Sequence, residues 1–351
     1  MDIQKSSAAL LARPGVEFAG LPQMNIPWVE SPFFGQLLEE SDFSEEDKAL
    51  ARHFAENGYA VVDPHIHDFD ALASAVIDSL ADKYQGQGRV QDAWTFNEHV
   101  KRLALAPRID AILRILYQRD PIPFQTLNFP YGTQQGTHSD TVHFHCVPHR
   151  FMCGVWVALE DTDTANGPLH IYPGSQKHPV WNFHDMGLPS NPDHYELYEA
   201  GLGHYVETAG LQKMQVHLKK GQALIWAANV LHGGDPILDQ KRSRHSQVTH
   251  FFFSDCLYYT PMLSDPYIGR MFLRSITDIR SGKPVPNMYN GQVITRVPPD
   301  APTPVPPPQT PMQAAPVQTM VQSDEALPTA TEPRRRTIKD IVKRVLRKLA
   351  A

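Results

Sequence analysis

Apolar residues recur at three-and-four spacing in "DFDALASAVIDSLADKY" (68–84) and "PRIDAILRILYQ" (107–118), so both read as amphipathic helices. An earlier helix is expected from Ser44, where "SEED" offers an N-cap with an acid three residues on. It runs through Phe54 and stops at Gly58. "YAVVD" follows as a strand. From about Phe124 the period changes. "QTLNF", "MCGVWVALE", "LHIY", "KMQVHL", "QALIWAA" and "HSQVTHFFF" are short β-rich runs parted by turn residues. Helices first and many short strands after predict a mainly β fold, a sandwich or barrel with flanking helices on one face.

Four stretches fall outside that frame. Residues 1–40 are rich in Pro and Gly and read as an irregular lead-in. Residues 181–210 have no clear periodicity but many Tyr, His, Phe and Trp, which suits a lid, a binding loop, or a surface excursion packed by its own aromatics. Residues 297–333 are dominated by Pro, Ala, Thr and Gln and read as a disordered linker, so the folded domain is expected over 41–296. In 334–351, Ile338, Ile341, Val342, Val345, Leu346 and Leu349 form one helical stripe with Lys and Arg around it.

Charge sharpens the last point. The segment 334–351 holds eight Arg and Lys against one Asp, so the chain's net −6 divides into +7 there and −13 elsewhere. A basic amphipathic helix on an acidic body could lie on an anionic membrane surface, dock on an acidic protein partner, or dock on its own body. The acidic body and the lack of a recognised motif disfavour nucleic acid. Cys146, Cys153 and Cys256 are too few and too scattered for a disulfide framework, and a reducing cytoplasm fits them. The first residues lack the basic start and apolar run of a signal peptide. No apolar stretch of about 18 residues is present to span a membrane.

The candidate chemistry lies in "GTHSDTVHFH", 136–145. Three histidines and an aspartate there could be metal ligands, a proton-transfer cluster, or the solvated side of a strand. On a strand, side chains two apart share a face, so His138 and Asp140 can meet one ion while Ser139 points away. His143 and His145 would then face the other side. One His and one carboxylate are two thirds of the facial triad of non-haem Fe(II) oxygenases. "WAANVLHGGDP" offers the third ligand, His232, between an apolar run and a Gly-Gly turn. Such a triad leaves room for a chelating 2-oxo acid and for O₂. Arg244, opening "RHSQVTHFFF", can clamp the far carboxylate, with Arg242 as its competitor. Rival readings are a cupin-type site on His143 and His145, a tris-His zinc site using His149, and a non-catalytic jelly-roll binding protein. The cupin pattern wants a Glu a few residues on, and "CVPHRF" has none.

Taken in order, "NGYAVVD" (57–63), "HSD" (138–140), Trp156, "NGPLHIYPGSQKHPV" (166–180), "LHGG" (231–234) and "RHSQVTHFF" (244–252) resemble the phytanoyl-CoA dioxygenase family over about 43–260. The resemblance implies a double-stranded β-helix, or jelly roll. It implies Fe(II) bound by His138, Asp140 and His232, and 2-oxoglutarate held through Arg244 in a pocket lined by Trp156. It also implies a small-molecule substrate and O₂. Asp140 fills the position that iron halogenases of this fold leave open for chloride, so the reaction expected is hydroxylation with release of succinate and CO₂. The chain departs from the pattern at Gly234, where some relatives place a Ser that helps hold the co-substrate. No CoA site is evident.

Overall fold

The computed structural model describes residues 25–84, 88–289 and 291–294. The linker expected over 297–333 and the helix expected over 334–351 lie outside the described residues.

Three helices form where the sequence predicts them, α2 (Glu45–Asn57), α3 (Phe69–Leu80) and α5 (Pro107–Tyr117), and two form where no pattern predicts one, α1 (Phe34–Glu39) and α4 (Glu98–Ala104). The Ser44 hydroxyl accepts the Asp47 amide at 3.1 Å, and Gly58 ends α2 with φ +77°, so both ends are set as the sequence predicts. Two helical pieces contradict the irregular lead-in. Residues 28–30 form a turn and α1 follows, with Val29 and Leu38 buried in the main core. Trp28 Nε1 also donates to Ile115 O at 2.8 Å, fastening this stretch to α5. Apolar residues, not Pro and Gly content, decide its fate.

The expected strands form two antiparallel sheets. The larger runs β1 (Tyr59–Val62), β8 (Ala223–Ala227), β5 (Met152–Ala158), β10 (Ser246–Phe253), β3 (Pro121–Phe129), β2 (Val90–Gln91). The smaller runs β7 (Met214–Val216), β6 (Leu169–Ile171), β9 (His232–Gly234). A two-stranded pair joins β4 (His145–Val147) to β11 (Leu257–Tyr259).

Alternation along β10 gives it two faces. Gln247 donates to Val100 O in α4 at 3.0 Å, so its face meets the helices. Ser246, Val248 and His250 take the other face, which looks into the site. The core is continuous from helices to sheet: the Tyr117 ring of α5 stacks on Phe253 of β10 at 4.0 Å.

The stretch 181–210 is not a structureless loop. It contains a helix, α6 (Tyr195–Thr208), whose Tyr198, Leu202 and Val206 are buried four residues apart against Phe183, Tyr172 and Val142. Each such burial contributes about 1.5–3 kcal/mol. Gly201 and Gly203 inside the helix hide its pattern in the sequence.

Candidate metal centre

His138 and His232 face each other across a two-way backbone bridge. The His138 amide donates to His232 O at 2.8 Å, and the His232 amide donates to His138 O at 2.9 Å. Each ring is oriented by a carbonyl two residues before it: Nδ1 lies 2.9 Å from Gly136 O in His138 and 2.9 Å from Val230 O in His232. A carbonyl can only accept, so each Nδ1 carries the proton and each Nε2 keeps its lone pair. Burial lowers the pKa of His138 to about 3, helped by His232 nearby, and that of His232 to about 4. Both rings are neutral at pH 7, the form a metal requires.

Asp140 reaches the same point by a different route from the one its strand-like spacing suggests. The extended backbone ends at Ser139, and Asp140 opens a single helical turn over Asp140–Val142. The parity of a strand therefore does not run on to His143 and His145. Trp226 Nε1 donates to Asp140 Oδ2 at 2.7 Å and fixes the carboxylate. One ligand atom each from His138, Asp140 and His232 lies within 4.8 Å of the others, and all three residues are buried. Among the described residues this is the group of three able to converge on one ion.

The rival histidines do not join it. His143 Nε2 is 3.1 Å from Tyr195 OH in α6. His145 Nδ1 is 3.0 Å from Tyr259 OH in β11, and its ring lies 4.8 Å from that of His149, which is exposed. His143 and His145 thus engage different tyrosines on different elements, and the cupin and tris-His readings have no shared centre.

The two arginines separate clearly. Arg242 is half exposed and paired with Asp163 at 2.8 Å. Arg244 is 1% exposed, and its Nε and Nη1 have no partner. Its Nη2 donates weakly to Tyr131 O at 3.4 Å, and its guanidinium sits 5.1 Å from the Trp156 ring centroid. Burial lowers its pKa to about 10, so it stays charged at pH 7. An unpaired buried cation is costly, and a carboxylate ligand would answer it. Ser246 Oγ, two residues on and on the same face, is also buried without a partner. Trp156 is in the core at 1% exposure and backs the arginine through its ring.

The departure at Gly234 has a steric reason. A Cβ there would stand 2.6 Å from Thr133 Oγ1 and 2.8 Å from the Gln134 amide. The loop before His138 occupies the space that a serine would need.

Several site residues were missed from the sequence. In the sequence Trp226 stands only as part of the apolar run of a strand. Its partner in register is Gly154, and His250 lies on the far side of the same glycine. A Cβ at Gly154 would meet Trp226 Cζ2 at 2.2 Å, so the glycine makes the space in which the indole crosses to Asp140. His250 Nε2 lies 3.9 Å from Asp140 Oδ2, and its Nδ1 lies 3.0 Å from Gln125 Oε1. The even spacing from Arg244 to His250 was the available signal.

The phytanoyl-CoA dioxygenase (PhyH) family model matches residues 43–246. No curated protein matches the chain significantly. Among solved structures, EctD from S. alaskensis with 2-oxoglutarate and 5-hydroxyectoine is similar at 18% identity and TM-score 0.52, over 72% of this chain and 90% of that one. The non-heme alpha-ketoglutarate-dependent carbocyclase SnoK from nogalamycin biosynthesis is similar at 16% identity and TM-score 0.50, over 70% of this chain and 94% of that one. At these identities the likeness is one of fold, and it agrees with a mainly β, cupin-like arrangement flanked by helices.

Proposed function

The chain belongs to the phytanoyl-CoA dioxygenase family, and from that premise we propose an Fe(II)- and 2-oxoglutarate-dependent oxygenase that hydroxylates a small molecule. His138, Asp140 and His232 are the proposed iron ligands, and Arg244 the anchor for the distal carboxylate of 2-oxoglutarate. The observation that carries this reading is Arg244: a buried guanidinium with two unpartnered nitrogen atoms, opening the strand that also brings His250 to Asp140. The donor set fits a ferrous ion, since two neutral imidazoles and one carboxylate suit that metal and leave positions open.

When bound, Fe(II) supplies O₂ activation coupled to oxidative decarboxylation of 2-oxoglutarate to succinate and CO₂. The chain's own residues prepare for this. The Gly136 and Val230 carbonyls hold the imidazoles in one tautomer. The Trp226 indole holds the Asp140 carboxylate. Burial of all three side chains excludes bulk water from the centre. Arg244 orients the co-substrate by a charge-assisted pair, with Trp156 behind it. Hydroxylation is the reaction proposed because Asp140 takes the position that a halide would need.

The test is succinate release from purified protein with Fe(II), 2-oxoglutarate and air. Arg244→Ala should lose about 2–5 kcal/mol of 2-oxoglutarate binding while still binding metal, and His138→Ala and His232→Ala should lose the metal. If Arg242→Ala shows the co-substrate defect instead, the arginine is misassigned. Chlorinated product from wild-type enzyme would refute hydroxylation.

We also propose, from sequence pattern alone, that 41–296 is the catalytic unit and that 334–351 attaches the cytoplasmic protein to an anionic membrane surface through the tether 297–333. Full-length protein should pellet with anionic liposomes at low salt. Indifference to them would point to a protein partner or to self-docking.

A further inference from the structure

The smaller sheet has a second face, turned away from the metal centre, and a buried polar chain lies on it. Strand parity places the chain there. His232 pairs with Ile171 and bridges to His138, so these three side chains share the inner face. His170 pairs with Gly233 on one side and with Gln215 of β7 on the other, so these share the opposite face. His170 is 6% exposed, and Asp235, two residues beyond Gly233, is 5% exposed. Asp235 Oδ1 lies 2.8 Å from His170 Nδ1 and accepts from Lys213 Nζ at 3.1 Å, while Oδ2 accepts from Gln215 Nε2 at 2.6 Å. A carboxylate accepts, so His170 Nδ1 carries a proton toward it. His170 Nε2 meets the Thr137 hydroxyl at 3.2 Å, and that hydroxyl lies 3.4 Å from Tyr172 OH.

Gly233 makes room for this chain. A Cβ there would stand 2.7 Å from His170 Cε1 and 2.8 Å from its Nε2, so the imidazole lies across β9 where a side chain would otherwise project. His170 on β6 thereby reaches over β9 to Thr137, the residue directly before His138. Gly136, whose carbonyl orients the His138 ring, is the next residue back. The segments tied together are the ones that carry both imidazole ligands. The bridge between His138 and His232 consists of two adjacent backbone hydrogen bonds. Such a bridge fixes the separation of two segments at one point and leaves them free to pivot about it. A second tie off that axis, on the opposite face, resists the pivot.

We propose that His170, held by Asp235, is a positioning residue for the metal centre. It fastens the segment ending at Thr137 to β6 across β9, and so sets the angle at which the His138 and His232 imidazoles meet one ion. It acts through Thr137 on His138. A metal centre tolerates little play in its ligands, and groups behind the ligands supply that restraint. Loss of the imidazole would also leave the buried Asp235 and Thr137 oxygens short of a partner. This inference rests on the iron site proposed above.

The experiment titrates full-length, metal-free protein with Co(II), whose visible absorption reports the geometry of its ligands. His170→Phe keeps a ring over Gly233 but loses both hydrogen bonds. It should bind Co(II) about tenfold or more weakly than wild type, with shifted visible bands. His170→Gln, whose amide can donate to Asp235 and accept from Thr137, should restore most of the wild-type affinity and spectrum. Thr137→Val, which deletes one hydroxyl, should move both in the same direction as His170→Phe. Val76→Ala opens a cavity on the buried face of α3, far from this chain in the fold, and should lower stability while leaving Co(II) affinity and spectrum unchanged. Wild-type affinity and spectrum in His170→Phe, an equal change in Val76→Ala, or a His170→Gln protein as defective as His170→Phe overturns the inference. If His170→Phe does not fold, Thr137→Val decides, and a wild-type spectrum there overturns it. Failure of the iron reading shows separately: wild-type protein that takes up no Co(II) overturns both, whereas wild-type uptake with silent variants overturns the positioning role alone.

Discussion

A missing Cβ at Gly154 decides where the Trp226 indole can lie, and the indole in turn holds Asp140. Gly154→Ala should therefore act twice. Overpacking should cost about 1–3 kcal/mol of stability, and the displaced indole should loosen the carboxylate. Trp226→Phe isolates the second effect, because it keeps a ring but deletes the N–H. Metal titration of that variant should show roughly 10–100-fold weaker binding; unchanged affinity would remove Trp226 from the support of the site. The proposed ligands and Arg244 were legible in the sequence because each sits in a short local pattern. Trp226, Gln125 and His250 were not, because their nearness to Asp140 depends on register across four strands.

Element by element, legibility followed periodicity. α2, α3 and α5 announce themselves by an apolar face, and the long strands by runs rich in β-branched and aromatic residues. α6 does not, because Gly201 and Gly203 interrupt the pattern around its buried Tyr198, Leu202 and Val206. The two glycines differ physically. A Cβ on Gly203 meets nothing within 4 Å, whereas one on Gly201 would stand 2.6 Å from Met186 Sδ. Gly203→Ala should raise stability by about 0.5–1 kcal/mol through helix propensity. Gly201→Ala should gain less or lose, since Met186 must move. Denaturant midpoints of the pair check this, and equal gains would mean that the Met186 contact carries no cost. The short elements at 28–39 were missed for another reason: their helicity follows from docking on α5, a long-range contact that no local pattern encodes.

Across the whole molecule, burial of neutral histidines makes the fold sensitive to acid. His143 and His145 each have a pKa lowered to about 3, chiefly by burial. Above about pH 6.5, folded and unfolded chains both keep these rings neutral, so they contribute no pH dependence. Below it the unfolded chain takes up protons that the folded chain refuses. Stability should fall as pH drops from about 6.5 toward 3, each ring adding about 1.4 kcal/mol per pH unit. Denaturation of metal-free protein at about pH 7.5, 6 and 5 checks the sign; a midpoint that rises on acidification contradicts it.

The bridge between His138 and His232 carries a consequence for how the protein lives with its iron supply. Peptide groups, not the ion, hold the two imidazoles face to face. Departure of the metal then removes activity without removing architecture. Chelator treatment should abolish succinate formation, leave the far-ultraviolet circular dichroism unchanged, and be reversed by adding Fe(II) alone. In a cell short of iron such a protein is then expected to wait folded, and to resume turnover once the metal returns.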